Sequence, residues 1–137
     1  MMNDGVMFGL MVLSGLLSSM NVFADKLGDV YLTLNDLYMS LLMTGWMFLF
    51  MGLYSKTSRQ MYVGLVCIAV SFVAIRMQLF IGSSQYAMSM IPHHSMAVLM
   101  SKRVLEKQVK PPLATIAGSI VAQQAAEIEI LKSFVSS

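Results

Sequence analysis

Long uncharged stretches alternate with short polar segments over the first 82 residues of the chain. The stretches are 6–23, 37–54 and 61–81, and Arg76 is the one charged residue inside them. Each approaches the roughly 20 residues that a helix needs to cross the hydrocarbon core of a bilayer. The pattern therefore predicts three transmembrane helices, at about 6–23, 37–54 and 61–81, within a transmembrane region that covers residues 1–82.

The pattern changes after the third stretch. Two amphipathic helical patterns, at roughly 84–107 and 112–136, are separated by Pro111 and Pro112. Proline suits the first turn of a helix and disfavours helix in the residue before it. Residues 83–137 are therefore predicted to form a helical hairpin. The predicted fold class is all-α: an integral membrane protein with three transmembrane helices followed by the hairpin.

The first uncharged stretch has an alternative interpretation. Val22 and Ala24 fit the small-residue pattern that precedes a signal-peptidase cut. The residues before the stretch, however, include Asp4 and no Lys or Arg, so the positive start of a signal peptide is missing. We expect the first helix to be retained.

Composition agrees with a membrane protein and narrows the possible partners. Hydrophobic residues make up 57% of the chain and charged residues only 12%, a balance that excludes an intrinsically disordered protein. The net charge of +2, without a basic stripe, gives no indication of a nucleic-acid partner. The lone cysteine, Cys67, excludes an internal disulfide.

Basic residues near the membrane ends predict the orientation. Lys56 and Arg59 lie in the very short segment between the second and third stretches, whereas Lys102 is far from the end of the third. Positive short loops stay on the cytoplasmic side. We therefore expect a bacterial inner-membrane type of localisation with the hairpin on the outer, periplasmic face, although Lys26 opposes this orientation.

Residues 88–100 carry the most distinctive chemistry, because both histidines lie there among methionines. Thioether sulfur is a soft ligand that suits Cu(I), and imidazole suits copper and zinc. On a helix, neighbouring histidines diverge, so one of them is expected to bind a metal ion while the other makes a supporting contact. The candidate ligands on this segment are Met90, His93, His94, Met96 and Met100.

The second hairpin helix adds a carboxylate to the candidate site. Gln124 and Glu127 are three residues apart and share a helix face. Glu127 could orient a histidine or bind the ion, and we expect it to be buried or semi-buried beside the apolar stripe. The alternative is structural, because methionine and histidine also occur as packing residues of an apolar core.

Methionine also recurs at every fourth position of the second stretch. We expect this row, which drifts slowly around the helix, to be a packing face. The alternative is a path for soft metal ions. Its members, part of a total of 15 methionines, are Met39, Met43, Met47 and Met51.

The hairpin motifs resemble the domain-of-unknown-function 305 family, which is also classed as ferritin-like. The matching positions are Met90, Ile91, Pro92, His93, His94, Ala97, Val98 and Met100, and then Ile116, Ala117, Ile120, Val121, Gln124, Glu127 and Ile128. A membrane-anchored branch of the family also resembles the upstream chain, so that the similarity covers about residues 36–135. The matching upstream positions are Tyr38, Met39, Leu42, Met43, Lys56, Arg76 and Gln78.

The resemblance implies a helical bundle and, for some members, copper binding and copper tolerance. It carries those roles to Met90, His93, His94 and Met100. Soluble members often have two hairpins in a four-helix bundle. The single hairpin of this chain would leave an apolar stripe uncovered, so we expect it to pair with another copy or with other membrane subunits.

Three functions follow, in order of preference. The first is a membrane-anchored metal-binding module, with copper as the expected ion, that buffers, senses or hands on the ion. The second is a non-catalytic structural or assembly subunit of a larger membrane complex. The third, a di-metal oxidoreductase, would need a Glu-x-x-His pairing that the hairpin lacks, so we expect no enzyme and no catalytic residues.

Overall fold

The computed structural model describes residues 3–136, and within them the predicted all-α fold is confirmed. Five α-helices are joined by turns and by two short 3-10 segments. The helices are α1 (Asp4–Leu17), α2 (Leu34–Ser55), α3 (Ser58–Met77), α4 (Ser83–Leu105) and α5 (Pro111–Ser136). They form two compact units. The three-helix unit comprises residues 3–19 and 34–81, and the hairpin unit comprises 20–33 and 82–136.

Three segments are long and apolar enough to cross a membrane, as the hydrophobic pattern predicted. They are Asp4–Phe23, Leu34–Ser55 and Ser58–Met77, with mean hydropathies of 1.8, 1.5 and 1.8. No more than 28% of any of their apolar windows is buried within the chain. The outward surfaces of these helices are therefore apolar, which suits contact with lipid.

Small residues set the helix contacts within the three-helix unit. A Cβ atom on Gly64 of α3 would lie 2.5 Å from the backbone nitrogen of Leu49 and 2.7 Å from the carbonyl oxygen of Gly45 on α2. A Cβ on Gly15 of α1 would lie 2.8 Å from the Cβ of Ser40 on α2. The backbones approach so closely that only glycine fits, a packing mode common between membrane helices.

The methionine row of α2, which was predicted to be a packing face, is largely exposed within residues 3–136. Met39, Met43 and Met47 are between 44% and 56% exposed. Long thioether side chains would hold α2 away from its neighbours, so the packed positions belong mostly to smaller residues. The buried positions of α2 are Asp36, Ser40, Thr44, Gly45, Phe48 and Gly52.

Two predicted helix ends are wrong. The third helix ends at Met77 rather than at residue 81, because Gln78 and Phe80 adopt left-handed conformations with φ of 48° and 58°. The first α-helix ends at Leu17, and residues 20–23 form a 3-10 turn. The absence of charged residues indicates which segment is apolar. It does not indicate where the helical hydrogen bonds end.

The hairpin unit has the predicted pair of helices, with ends within two residues of those expected. Ile91 and Val98 of α4 pack with Ile128 of α5 to form its buried core. Tyr31, which comes from the segment before α2, packs against the same cluster. The core of the hairpin unit therefore includes part of the chain that precedes α2.

That preceding segment, residues 20–33, is more than the polar turn that its sequence predicted. The amide of Asn21 closes it, because Asn21 Nδ2 donates to the Tyr31 carbonyl and Asn21 Oδ1 accepts from the Tyr31 amide, both at 2.9 Å. We call residues 20–33 the strap. The boundary at residue 82 marks where the hairpin begins, but the strap also belongs to the hairpin unit.

Candidate functional site

A cavity of about 370 Å³ on the hairpin unit contains three of the predicted site residues. Met90 and His94 are one turn apart on α4, and Glu127 faces them from α5. The spacing of four residues places the thioether and the imidazole on one side of α4. The remaining lining residues are Tyr86, Ile130 and Leu131.

His94 and Glu127 form the closest polar contact in this cavity. Nδ1 of His94 lies 3.0 Å from Oε2 of Glu127. That nitrogen is buried and has no hydrogen-bond partner among the described residues, so the contact is electrostatic rather than a well-aligned hydrogen bond. Glu127 was expected to be buried or semi-buried, and its side chain is 51% exposed.

Burial lowers the pKa of His94 below its ordinary value, because the apolar surroundings disfavour the imidazolium form. The carboxylate of Glu127 opposes this shift, and the neighbouring His93 adds to it. At neutral pH the ring is therefore uncharged, which is the form that can donate a lone pair to a metal ion.

The other predicted ligands lie away from this cavity. His93 is exposed, and its ring centroid is 5.9 Å from that of His94 with the rings inclined at 59°. Met96 is half-buried and Met100 is 57% exposed. Met100 is ten residues beyond Met90, which corresponds to about 15 Å along the helix axis. One ion therefore cannot bind both Met90 and Met100 of the same chain.

Nitrogen and oxygen ligands alone do not form a metal site here. Within residues 3–136 no group of three or more His, Cys, Asp or Glu side chains is arranged to hold an ion. The cavity instead offers one thioether, one imidazole and one carboxylate. Such a set suits a soft ion better than zinc, which takes three or four nitrogen, oxygen or thiolate ligands from the protein.

A second polar cluster, which the sequence did not reveal, joins the strap to the hairpin. Ser95 is fully buried on α4. Its hydroxyl donates to Oδ2 of Asp29 at 2.6 Å and accepts from the backbone amide of Asp25 at 2.8 Å. One serine therefore fixes two points of the strap.

Two lysines complete this cluster. Nζ of Lys132 on α5 lies 2.5 Å from Oδ1 of the buried Asp29, and Nζ of Lys102 lies 2.6 Å from Oδ2 of Asp25. Burial alone would raise the pKa of Asp29, but Lys132 and Ser95 outweigh burial and hold that pKa below 3.8. The pKa of Lys132 is correspondingly raised above 10.5 by Asp29. Both groups are therefore charged at neutral pH.

The chain is similar to proteins without an assigned function. Residues 83–137 match the family described as "Domain of unknown function (DUF305)". The chain is also 38% identical, over 140 aligned residues, to "Uncharacterized protein L153" of Acanthamoeba polyphaga mimivirus, and the alignment covers 96% of this chain and 92% of that relative. No solved structure matches the chain.

Proposed function

The chain belongs to the DUF305 family, and we propose that it is a membrane-anchored metal-binding protein, with copper as the expected ion. It would buffer, sense or hand on the ion without catalysing a reaction. The observation that carries the proposal is the buried His94, whose Nδ1 lies 3.0 Å from the carboxylate of Glu127 in a cavity that both share with the thioether of Met90.

The donor set fits Cu(I) in both chemistry and charge. The thioether of Met90 and the neutral imidazole of His94 are ligands that Cu(I) accepts. The half-exposed Glu127 would offset the ionic charge while remaining in contact with water. Bound copper would supply a soft, positively charged centre, and the protein would determine its position and its access to solvent.

Membrane anchoring rests on the apolar outer surfaces of the three candidate spans. We retain the orientation expected from Lys56 and Arg59, with the hairpin on the outer side of the membrane. Protease added to spheroplasts of a bacterial host that expresses the protein should cut the exposed link between α4 and α5, around Lys107. Protection of that link, with cleavage only after lysis, would contradict the orientation.

A second copy is the expected partner of the hairpin. Exposed apolar side chains on both helices leave a face that two helices alone cannot cover. They include Tyr86 and Met100 on α4 and Ile116, Ile130 and Phe134 on α5. Two hairpins packed through this face would make a four-helix bundle, and a strictly monomeric protein in nanodiscs would count against it.

The same exposed face favours a second candidate function, that of a structural or assembly subunit of a membrane complex. In that case His94 and Glu127 would only stabilise the helix pair, and the face would bind a different membrane protein. A stable partner that copurifies with the metal-free protein would favour this alternative. A purified protein that forms a homo-oligomer and binds metal would exclude this alternative.

Metal analysis of the purified full chain tests the leading proposal. The wild-type protein and the His93→Ala/His94→Ala variant are loaded with equal Cu(I) under reducing conditions and freed of unbound ion. We expect the variant to bind less copper per chain than the wild-type protein, because its hairpin site is lost. Equal copper content in the two proteins would contradict the proposal, provided that both retain their helical content.

A further inference from the structure

The three-helix unit has its own cavity, of about 550 Å³, that the hairpin site does not involve. Three thioethers line it: Met7 from α1, and Met47 and Met51 from successive turns of α2. Asp4 is the one charged residue in its lining. The aromatic side chains of Phe50 and Tyr54 complete much of the apolar wall.

A hydrogen-bonded polar rim accompanies the thioethers. Nε2 of Gln60 on α3 donates to Oδ1 of Asp4 on α1 at 3.1 Å. The hydroxyl of Ser55 lies 3.1 Å from Oε1 of Gln60 and 2.9 Å from the hydroxyl of Thr57. The carboxylate therefore has a defined position, which a surface side chain without such partners would lack.

Asp4 forms no ion pair among residues 3–136, although Arg59 lines a neighbouring cavity of about 130 Å³ together with it. The Asp4 side chain accepts a hydrogen bond from the neutral amide of Gln60. Its place in the first turn of α1 offers some stabilisation by the helix dipole. That explanation accounts for an acidic residue there, but it does not account for three thioethers in the same cavity.

We propose that this cavity is a second metal site, which binds one soft monovalent cation, Cu(I) or Ag(I), through Met7, Met47 and Met51 with Asp4 as the balancing charge. Thioethers are weak ligands for hard ions, so the site would exclude Mg²⁺ and Ca²⁺. The positive ion and the carboxylate together would be neutral, which lowers the cost of holding an ion beside apolar side chains.

The methionine row of α2 supplies an internal comparison. Met47 and Met51 line the cavity, whereas Met39 and Met43 occupy the same row nearer the start of the helix and do not line it. If methionine served only to fill space, the two pairs would respond alike to replacement by leucine. Met→Leu conserves volume and typically costs less than about 1.5 kcal/mol of stability. Any difference in ion binding would then reflect the lost sulfur.

The test uses the full-length protein in nanodiscs with His93→Ala/His94→Ala as the background, so that the hairpin site is removed. Ag(I) is titrated against a competing chelator, and bound silver is counted per chain. We expect one ion per chain in this background. Adding Met47→Leu/Met51→Leu should abolish stoichiometric binding, and adding Met39→Leu/Met43→Leu should leave it unchanged.

A separate variant, Asp4→Asn, tests the carboxylate. It should still bind one Ag(I) per chain, but with an affinity that is roughly tenfold weaker. Circular dichroism shows whether each variant keeps its helices. The proposal is overturned if the background protein binds no Ag(I), or if both methionine pairs give the same result. Failure of the hairpin site would appear separately, as equal silver content in the wild-type protein and the histidine variant.

Discussion

The two units of this protein bury polar groups in different ways. In the three-helix unit the buried hydroxyls of Thr44 and Ser71 have no hydrogen-bond partner among the described residues, and close glycine contacts join the helices. In the hairpin unit the buried hydroxyl of Ser95 both donates and accepts, and Asp29 pairs with Lys132. Close backbone approach is the main feature of the helix contacts in the three-helix unit, whereas charge and hydrogen bonds hold the strap to the hairpin.

This difference indicates what each unit must achieve. Helices surrounded by lipid gain little from burying apolar side chains, so close van der Waals packing becomes important. A hairpin of two helices has the opposite problem, because it offers too little apolar surface to form a core alone. Tyr31 of the strap adds to that core, and Asp29 of the strap pairs with Lys132 of α5.

The largest expected effect comes from the buried acid of the strap. Asp29→Asn removes the charge opposite Lys132 and should destabilise the docked strap by about 3 kcal/mol, because breaking a buried pair leaves its partner uncompensated. Hydrogen exchange of residues 20–33 in the full chain would measure the loss. Unchanged protection would contradict the role assigned to Asp29.

A glycine in the three-helix unit should be nearly as sensitive. Gly64→Ala forces a Cβ into the backbone of α2 and should destabilise the helix contact by about 2 kcal/mol. Gly9→Ala is the matched control, because nothing lies within 4 Å of the added atom. Reversible unfolding in mixed detergent micelles compares the two. Equal stabilities would mean that the close approach of α2 and α3 contributes nothing.

Acid should weaken only the hairpin unit through Asp29. The folded pKa of Asp29 lies below 3.8, so its contribution is fully present above that value and is lost as the pH falls through the folded pKa. The loss is at most about 1.4 kcal/mol for each pH unit. The amide resonance of Gly28, followed by NMR during acidification, should report the release. The Asp29→Asn variant should lack this transition.

The smallest effect is expected at the other acid of the strap. Asp25→Asn removes an ion pair whose lysine, Lys102, has a side chain that is 45% exposed. Exposed pairs contribute about 1 kcal/mol or less. The same hydrogen-exchange measurement on residues 20–33 is made, so that Asp25→Asn serves as the control for Asp29→Asn. If Asp25→Asn lost as much exchange protection as Asp29→Asn, burial would not determine how much an ion pair contributes to stability.

Local patterns predicted the helices of both units. The uncharged stretches located the three candidate spans, and Pro111 with Pro112 located the turn of the hairpin. Contact with a histidine was one of two roles considered for Glu127, and its carboxylate lies 3.0 Å from Nδ1 of His94. These features depend on helical periodicity and on residues that are close in sequence, which a single chain displays directly.

Long-range contacts were not predictable in this way. Asp29 and Ser95 are 66 positions apart, and nothing near either residue indicates the pairing. Residues 20–23 of the strap were therefore assigned to the first predicted helix, and the rest only to a polar segment between helices. Gly15, Gly45 and Gly64 likewise look like the other glycines in the sequence, because close helix approach depends on the neighbouring helix. Helix geometry separates His93 from His94, but only the position of α5 shows that His94 is the one beside Glu127.

The most direct test of the proposed hairpin site compares the two histidines singly. Cu(I) affinity is measured by chelator competition for His94→Ala and His93→Ala in the full-length protein, with Met47→Leu/Met51→Leu present to remove the other proposed site. The account predicts at least about a tenfold weaker affinity for His94→Ala and little change for His93→Ala, which lies outside the cavity. Equal effects, or a larger loss for His93→Ala, would contradict it.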